Sequence, residues 1–286
     1  MLSLNVKSKQ IVAFIGLTLV LSLVMGTFSF LGSSRLLNAE VEKTLLAEAD
    51  HLADAYSSWI DMQLAQLQTI ANVADFSDYN DELYETFRLE SERMGFNSMS
   101  PADTDGILYL IGGKTANLSG RDYLQKVLRQ RVPAVSDPVF SAVAGEENLL
   151  TVLFAVPVIR QGRLEGALIG QRNAEFLSNR LLESDYGRGS EVFVLSQKSS
   201  YIAHSNPEEI RRSVEGSDEA ERTHLQPILA KMIAGERSID SYKKMNQRIF
   251  VAYAPVGNYQ WSVAISLPED TIMAPLRKLS IVYLSI

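Results

Sequence analysis

The chain has 286 residues, enough for one large domain or two modest ones, with an apolar fraction of 46% that is ample for a buried core. Its formal charge is −7, and taking the end cations Lys7, Lys9, Arg277 and Lys278 away leaves −11 for the stretch between, which argues against nucleic acid or anionic lipid as partners there. There is no cysteine, so disulfides, thiolate metal sites and a cysteine nucleophile are excluded.

Ile11 to Leu31 is an uninterrupted apolar run without a charged side chain. At ~1.5 Å per residue it matches the ~30 Å hydrocarbon thickness of a bilayer. A cleaved secretory signal is the competing reading, but its apolar core is usually only ~7–15 residues long. A buried core helix fits less well, because the run is apolar on every face. The run therefore reads as transmembrane helix 1. Lys7 and Lys9 keep residues 1–10 on the cytoplasmic side, and the rest of the chain lies outside.

From Ser33 to about Val73 apolar residues (Leu45, Leu52, Trp59, Leu67, Ile70) recur mostly at three- and four-residue steps without Gly or Pro, which predicts a long amphipathic helix. It packs either on its own domain or also on a second subunit, and its heptads are not strict enough for a coiled coil. Residues 75–97 read as a further helix and its approach. Gly106–Ile111 reads as a strand ended by Gly112-Gly113, Asp122–Gln130 as a helix, and Leu149–Ile159 with Leu164–Gln171 as a long hairpin turning at Gln161-Gly162-Arg163. A helix follows at Ala174–Ser184. A second set then begins, with strands at Glu191–Ser196 and Ser200–His204, a polar excursion over residues 205–222, a helix near Leu225–Ala234, and strands near Ile239–Lys243, Arg248–Pro255 and Trp261–Leu267. Antiparallel strands with inserted helices, repeated twice, mean two α+β modules in tandem. Leu279–Ile286 reads as the opening of a second, truncated transmembrane helix within 276–286.

No G-x-S-x-G, phosphate loop or H-E-x-x-H occurs, and the acidic pairs Glu146-Glu147 and Glu208-Glu209 lie on polar turns. An enzyme, a cofactor and a metal site are therefore not expected. His204 ends a strand and reads as structural.

At Arg121-Asp122-Tyr123, Ser136-Asp137-Pro138, Ala155-Val156-Pro157, Gly166–Gly170, Ile202–Asn206, Lys231–Glu236, Val251–Pro255 and Trp261–Val263 the chain resembles the double Cache sensor domain of bacterial chemoreceptors and related transmembrane receptors. The order and spacing of these stretches carry the resemblance, which covers about Ser33 to Ala274. It implies an α+β fold: a long N-terminal helix (33–75), a membrane-distal PAS-like Cache module (76–184) and a membrane-proximal one (185–275), each with an antiparallel sheet. It also implies the input region of a receptor in the bacterial inner membrane, with the sensor extracytoplasmic, a homodimer, and a small ligand bound in the distal module. The output following such a region is a methyl-accepting signalling domain, a diguanylate cyclase or a histidine kinase. A membrane-tethered solute-binding protein or hydrolase is the weaker alternative.

The same resemblance makes Arg121 and Tyr123 a pocket edge, where a planar guanidinium grips a carboxylate with two parallel hydrogen bonds. The bland alternative is a solvated Arg beside Asp122, in an odd position because a cation there opposes the helix dipole. Tyr109 faces either pocket or core. Ser136 and Asp137 form a turn beside the pocket, Asp137 reading first as a side-chain cap. One departure matters: where amino-acid-binding members carry a carboxylate after the strand ending at Gly170, this chain has Gln171-Arg172-Asn173, and Leu124 replaces an aromatic after Tyr123. That disfavours an amino acid, and Arg121 with Arg172 suits an organic acid or another anion.

Overall fold

The computed structural model describes residues 6–76, 80–143, 145–181, 186–187, 189–217 and 223–271. The anticipated second membrane helix at Leu279–Ile286 lies outside them. Helix α1 (Val6–Val73) is followed by α2 (Asp81–Met94), the strands β1 (Ser98–Ala102), β2 (Ile107–Tyr109) and β3 (Thr115–Asn117), and α3 (Asp122–Gln130). Then come β4 (Ala134–Val135), β5 (Val139–Phe140), the long hairpin β6 (Leu150–Arg160) and β7 (Arg163–Asn173), and α4 (Glu175–Leu181). The remainder is β8 (Glu191–Ser196), β9 (Tyr201–His204), α5 (Glu208–Glu215), α6 (Gln226–Ile233), β10 (Ser238–Lys244), β11 (Gln247–Val256) and β12 (Trp261–Pro268). Among the described residues no helix is long and apolar enough to cross a membrane; within Ile11–Leu31 side chains are described at 14–18, 20–22, 24 and 25.

Two antiparallel sheets result. The first runs β3-β2-β1-β7-β6-β4 with β5 also on β6, and the second runs β10-β11-β12-β8-β9. With the helices around them they form two lobes. In the first lobe side-chain alternation sends β6 and β7 residues to opposite faces. Phe154 meets Trp59 of α1 edge-on at 5.7 Å and Phe96 at 5.8 Å, whereas Ala155, Ala167 and Ile169 join Tyr123, Leu124 and Val127 of α3 in a separate cluster. The sheet is thus covered by α1 on one side and α3 on the other, so its strands carry few polar residues.

The part of α1 beyond Leu45 also touches the second lobe. Arg237 donates Nε–H to Asp50 at 2.7 Å, which holds the Asp50 carboxyl below the usual range, and Tyr56 Oη donates to the Leu177 carbonyl of α4, the helix that leads into that lobe, at 2.6 Å. At its C-terminal end Arg160 of β6 donates to the carbonyls of Asn72 (2.7 Å) and Ala74, supplying positive charge where the helix dipole favours it. The short strands β1, β3, β4 and β5 and the helix α5 escape the sequence reading. β1 carries Pro101, which lacks the N–H a ladder needs, and its pairing with β2 starts only at Ala102. α5 lies inside the polar excursion because only Ile210 of its eight residues is buried.

Candidate functional site

Helix α3 turns Tyr123, Leu124 and Val127 into the first lobe's core and leaves Arg121, Asp122 and Lys126 facing outward. Arg121 occupies the N-cap position with an extended backbone and makes no capping bond, so its guanidinium is free to reach sideways. Beside it opens a cleft of about 1000 Å³. Its first wall is α3 with the segment Pro133–Asp137, its floor is α1 around Asp61, Leu64 and Gln68, and its second wall comes from two turns of the second lobe, Gln197-Lys198 and Asn258–Trp261. Of the six residues singled out from sequence, Arg121, Tyr123, Ser136 and Asp137 line this cleft together, whereas Tyr109 and Arg172 do not.

Each of the four is held differently. Tyr123 is only 7% exposed and its hydroxyl is buried without a hydrogen-bond partner; burial pushes the phenol up, so it stands as a neutral O–H donor. Ser136 Oγ accepts the Leu153 N–H at 2.9 Å, which fixes the end of the segment against β6. Asp137 is not the local turn cap expected of it: its Oδ1 accepts the indole N–H of Trp261 at 3.2 Å, across from the second lobe. Burial raises the Asp137 carboxyl above its ordinary value, partly opposed by the Trp261 bond and the nearby Lys198 ammonium. Two further links cross the cleft, Lys198 to Asp122 and the Tyr259 hydroxyl to Asp61. Among the described residues Arg121 and Lys126 have no ion-pair partner.

A carboxyl whose folded value is raised stabilises the fold only while protonated, and that contribution is lost as pH rises through the folded value. Asp137→Asn retains an acceptor for Trp261 without a charge to bury. We expect the variant to melt above the parent at neutral pH, with the gap closing toward about pH 4, where free carboxylates protonate. Thermal melts across pH check this.

Two sequence expectations are corrected. The Tyr109 hydroxyl donates to Asp103 Oδ2 at 2.8 Å in the β1–β2 turn, where Asp103 also accepts the Ile107 N–H, so it faces neither cleft nor core cluster. Arg172 lies on the α1 face of the sheet. Its guanidinium sits 4.5 Å from the Phe176 ring centroid, 4.8 Å from Phe96 and 5.6 Å from Trp59, and donates to Gln63 Oε1 (2.5 Å) and the Met94 carbonyl (2.6 Å). Strand alternation causes this: Arg172 shares its face with Gly170, whereas Gln171 points to the α3 side. Arg121 and Arg172 therefore do not converge, and the pair on which an organic-acid preference rested is absent.

A second, much smaller space lies on the α3 face of the sheet itself. It measures about 30 Å³ and is lined by Ser98, Ser100, Ser141, Thr151 and Gln171 among apolar side chains such as Leu108 and Ile169. That is room for about one water. Its described lining residues are uncharged, and Glu146 stands at its edge, accepting from Ser141 Oγ at 3.3 Å and Gln171 Nε2 at 3.5 Å.

The two-sheet arrangement with its leading helix matches the Cache domain family over residues 33–276. The chain belongs to the Cache domain family. Cache domains are ligand-binding input domains of membrane receptors, and solved examples have the same fold. The ligand-binding domain of the Pseudomonas fluorescens chemoreceptor CtaA, in complex with L-isoleucine, superposes with a TM-score of 0.65 at 14% identity, covering 84% of this chain and 97% of that one. The sensory domain of the Campylobacter jejuni chemoreceptor Tlp3, with isoleucine bound, gives 0.61 at 16% identity over 83% and 96%. The extracellular domain of a candidate histidine kinase, mmHK1S-Z3, gives 0.65 at 13% over 83% and 97%.

Sequence reasoning found the first-lobe wall of this Cache cleft and missed the opposite one. Lys198 and Trp261 reach it from turns 76 and 124 residues away from their partners Asp122 and Asp137, and Asp61 comes from α1. Lys198 stands in a polar turn and Trp261 reads as core, so neither carries a local signal of a site. The small hydroxyl-lined space is equally silent, because isolated Ser and Thr in strands look like ordinary sheet residues.

Proposed function

We propose that the chain is the extracytoplasmic input region of a transmembrane receptor of the bacterial inner membrane, with Ile11–Leu31 as its membrane anchor. On this reading residues 76–184 form the membrane-distal module and 185–275 the proximal one, the receptor is a homodimer, and a small ligand engages the distal module at Arg121, Tyr123, Ser136 and Asp137. The observation that carries the site is the convergence of those four residues on one cleft, with a half-buried guanidinium that has no ion-pair partner among the described residues next to a buried hydroxyl that lacks a hydrogen-bond partner. The anchor is supported by Phe14, Leu17, Leu21 and Met25, apolar side chains of one helical stripe that are each more than half exposed. Water would not be the medium such a surface is built for.

Binding energy then shifts an equilibrium between two arrangements of the lobes, and the change reaches the membrane through the helix that touches both. A methyl-accepting domain, a diguanylate cyclase and a histidine kinase all fit as outputs. The relatives CtaA and Tlp3 were solved with amino acids, and with Arg172 turned away Arg121 is the one arginine of the expected pair left to favour an anionic group here.

The test is a thermal-shift screen of amino and organic acids on the full chain in detergent, followed by calorimetry on Arg121→Gln. A ligand held at the cleft should bind about tenfold or more weakly to the variant, the loss of one charge-assisted contact. Undiminished binding would remove Arg121 from the site.

A further inference from the structure

The cleft is not a property of one lobe. The second lobe supplies an entire wall, including a third cation, Lys198, and the Trp261 side chain that holds Asp137. Among the described residues Lys198 is ion-paired with Asp122, with Asp137 also nearby, and Lys198 and Asp122 are largely exposed, 67% and 80% by side chain, so that pair is weak and easily exchanged. Opposite it stand Arg121 and Lys126 without ion-pair partners among the described residues, and the unpartnered Tyr123 hydroxyl. Cations thus stand on both walls, interspersed with the carboxylates Asp61, Asp122 and Asp137, and a molecule with an anionic group at each end would bridge Arg121 on one wall and Lys198 on the other.

We propose that the cleft is a composite site for a small organic dianion, one carboxylate held by Arg121 with the Tyr123 hydroxyl and the other by Lys198, displacing Asp122. This rests on the reading of Arg121 as a ligand contact and adds the second lobe as a direct partner. Occupancy then ties the two lobes together through the ligand, replacing the Asp122–Lys198 link with a bridge that exists only in the bound state. The ligand itself reports the position of one lobe to the other, without a relay through the core.

The experiment uses the full chain in detergent and calorimetry with succinate, malate and citrate as dianionic or more highly charged probes, and monomethyl succinate as the single-charge control. At least one polycarboxylate should bind, about tenfold more tightly than the monoester. Arg121→Gln and Lys198→Gln should each weaken it by about tenfold, while Asp122→Asn, which frees Lys198 from its competitor, should strengthen it several-fold. The monoester should be indifferent to Lys198→Gln. A merely structural role for the Asp122–Lys198 pair predicts no gain from Asp122→Asn. If a polycarboxylate binds and loses affinity with Arg121→Gln but not with Lys198→Gln or Asp122→Asn, the composite site is wrong and the one-lobe site stands. If no polycarboxylate binds at millimolar concentration, the dianion site is wrong. An amino acid whose binding needs Arg121 would still support the distal site, and binding indifferent to Arg121→Gln would remove both readings.

Discussion

Gly166→Ala is expected to be among the most damaging single substitutions in the chain, lowering the melting temperature by roughly 6–12 °C for a loss of about 3 kcal/mol in a unit of this size. Gly166 has φ +155°, a backbone conformation that side chains other than hydrogen rarely adopt. A Cβ there would lie 2.1 Å from the Ala102 carbonyl oxygen and 3.2 Å from its carbon. Both atoms belong to the backbone at the end of β1, where β1 pairs with β7 in the register Ala102↔Ala167. No side-chain rotation relieves the contact, so the end of β1 must move away from β7 and disturb the Asp103 turn that follows. Gly162 is the control. It also has positive φ (+79°) but nothing within 4 Å of its missing Cβ, so Gly162→Ala carries only the conformational cost of about 1 kcal/mol. The difference between the two melts measures the clash together with the harsher backbone conformation at φ +155°. Equal shifts would mean that β1 yields without cost.

The same glycine shows where the sequence is legible and where it is not. Gly166 and Gly170 stand out in sequence as part of a stretch resembling the double Cache pattern, yet nothing in their spacing says what they touch. In the structure one admits the Ala102 backbone and the other admits the Phe96 ring, whose atoms come within 2.7 Å of the position a Cβ would take. These are packing constraints, set by residues 64 and 74 positions earlier. Helix α3 and strand β8 are legible to the residue, because their apolar period and flanking turns are local properties. β1, β3, β4 and β5 are not. They are two to five residues long, and their pairing to β2, β6 or β7 selects them, not their composition. His204 shows the opposite case, a residue type that invites a functional reading. It stacks on Phe193 at 5.8 Å and accepts the Asn206 N–H at Nδ1, closing a turn in the second lobe's core.

For the candidate site the limit is physical as well. A cleft between two lobes and a helix takes its walls from three separate parts of the chain. Pattern within one stretch finds a single wall, as it did with Arg121, Tyr123, Ser136 and Asp137. The face on which a strand residue falls is decided by one step of register. Arg172 fell on the other side from the one its chemistry suggested.

Arg172→Ala is accordingly expected to act on stability and not directly on ligand contact, costing about 3 kcal/mol, or roughly 6–12 °C. The side chain is 5% exposed and Nε has no partner, so burial pulls the guanidinium down to about 10, still charged under ordinary conditions. What offsets the buried charge is three ring faces and two acceptors. Truncation forfeits the ring contacts, opens a void between α1, α2 and β7, and leaves the Met94 carbonyl at the end of α2 without its donor. Arg172→Met fills most of the void and removes the charge, so its loss should be smaller, about 1 kcal/mol. Arg172→Lys should fall nearer alanine, because a compact ammonium cannot lie flat against three rings while reaching two acceptors. The order Met above Lys above Ala in thermal melts identifies a packed, stacked cation. A lysine variant as stable as the parent would show that charge alone matters. If the residue acts as a lock between the sheet and α1, ligands of the Arg121 cleft should bind Arg172→Met with nearly parental affinity at temperatures well below its melt, whereas loss of binding there would return Arg172 to the ligand site.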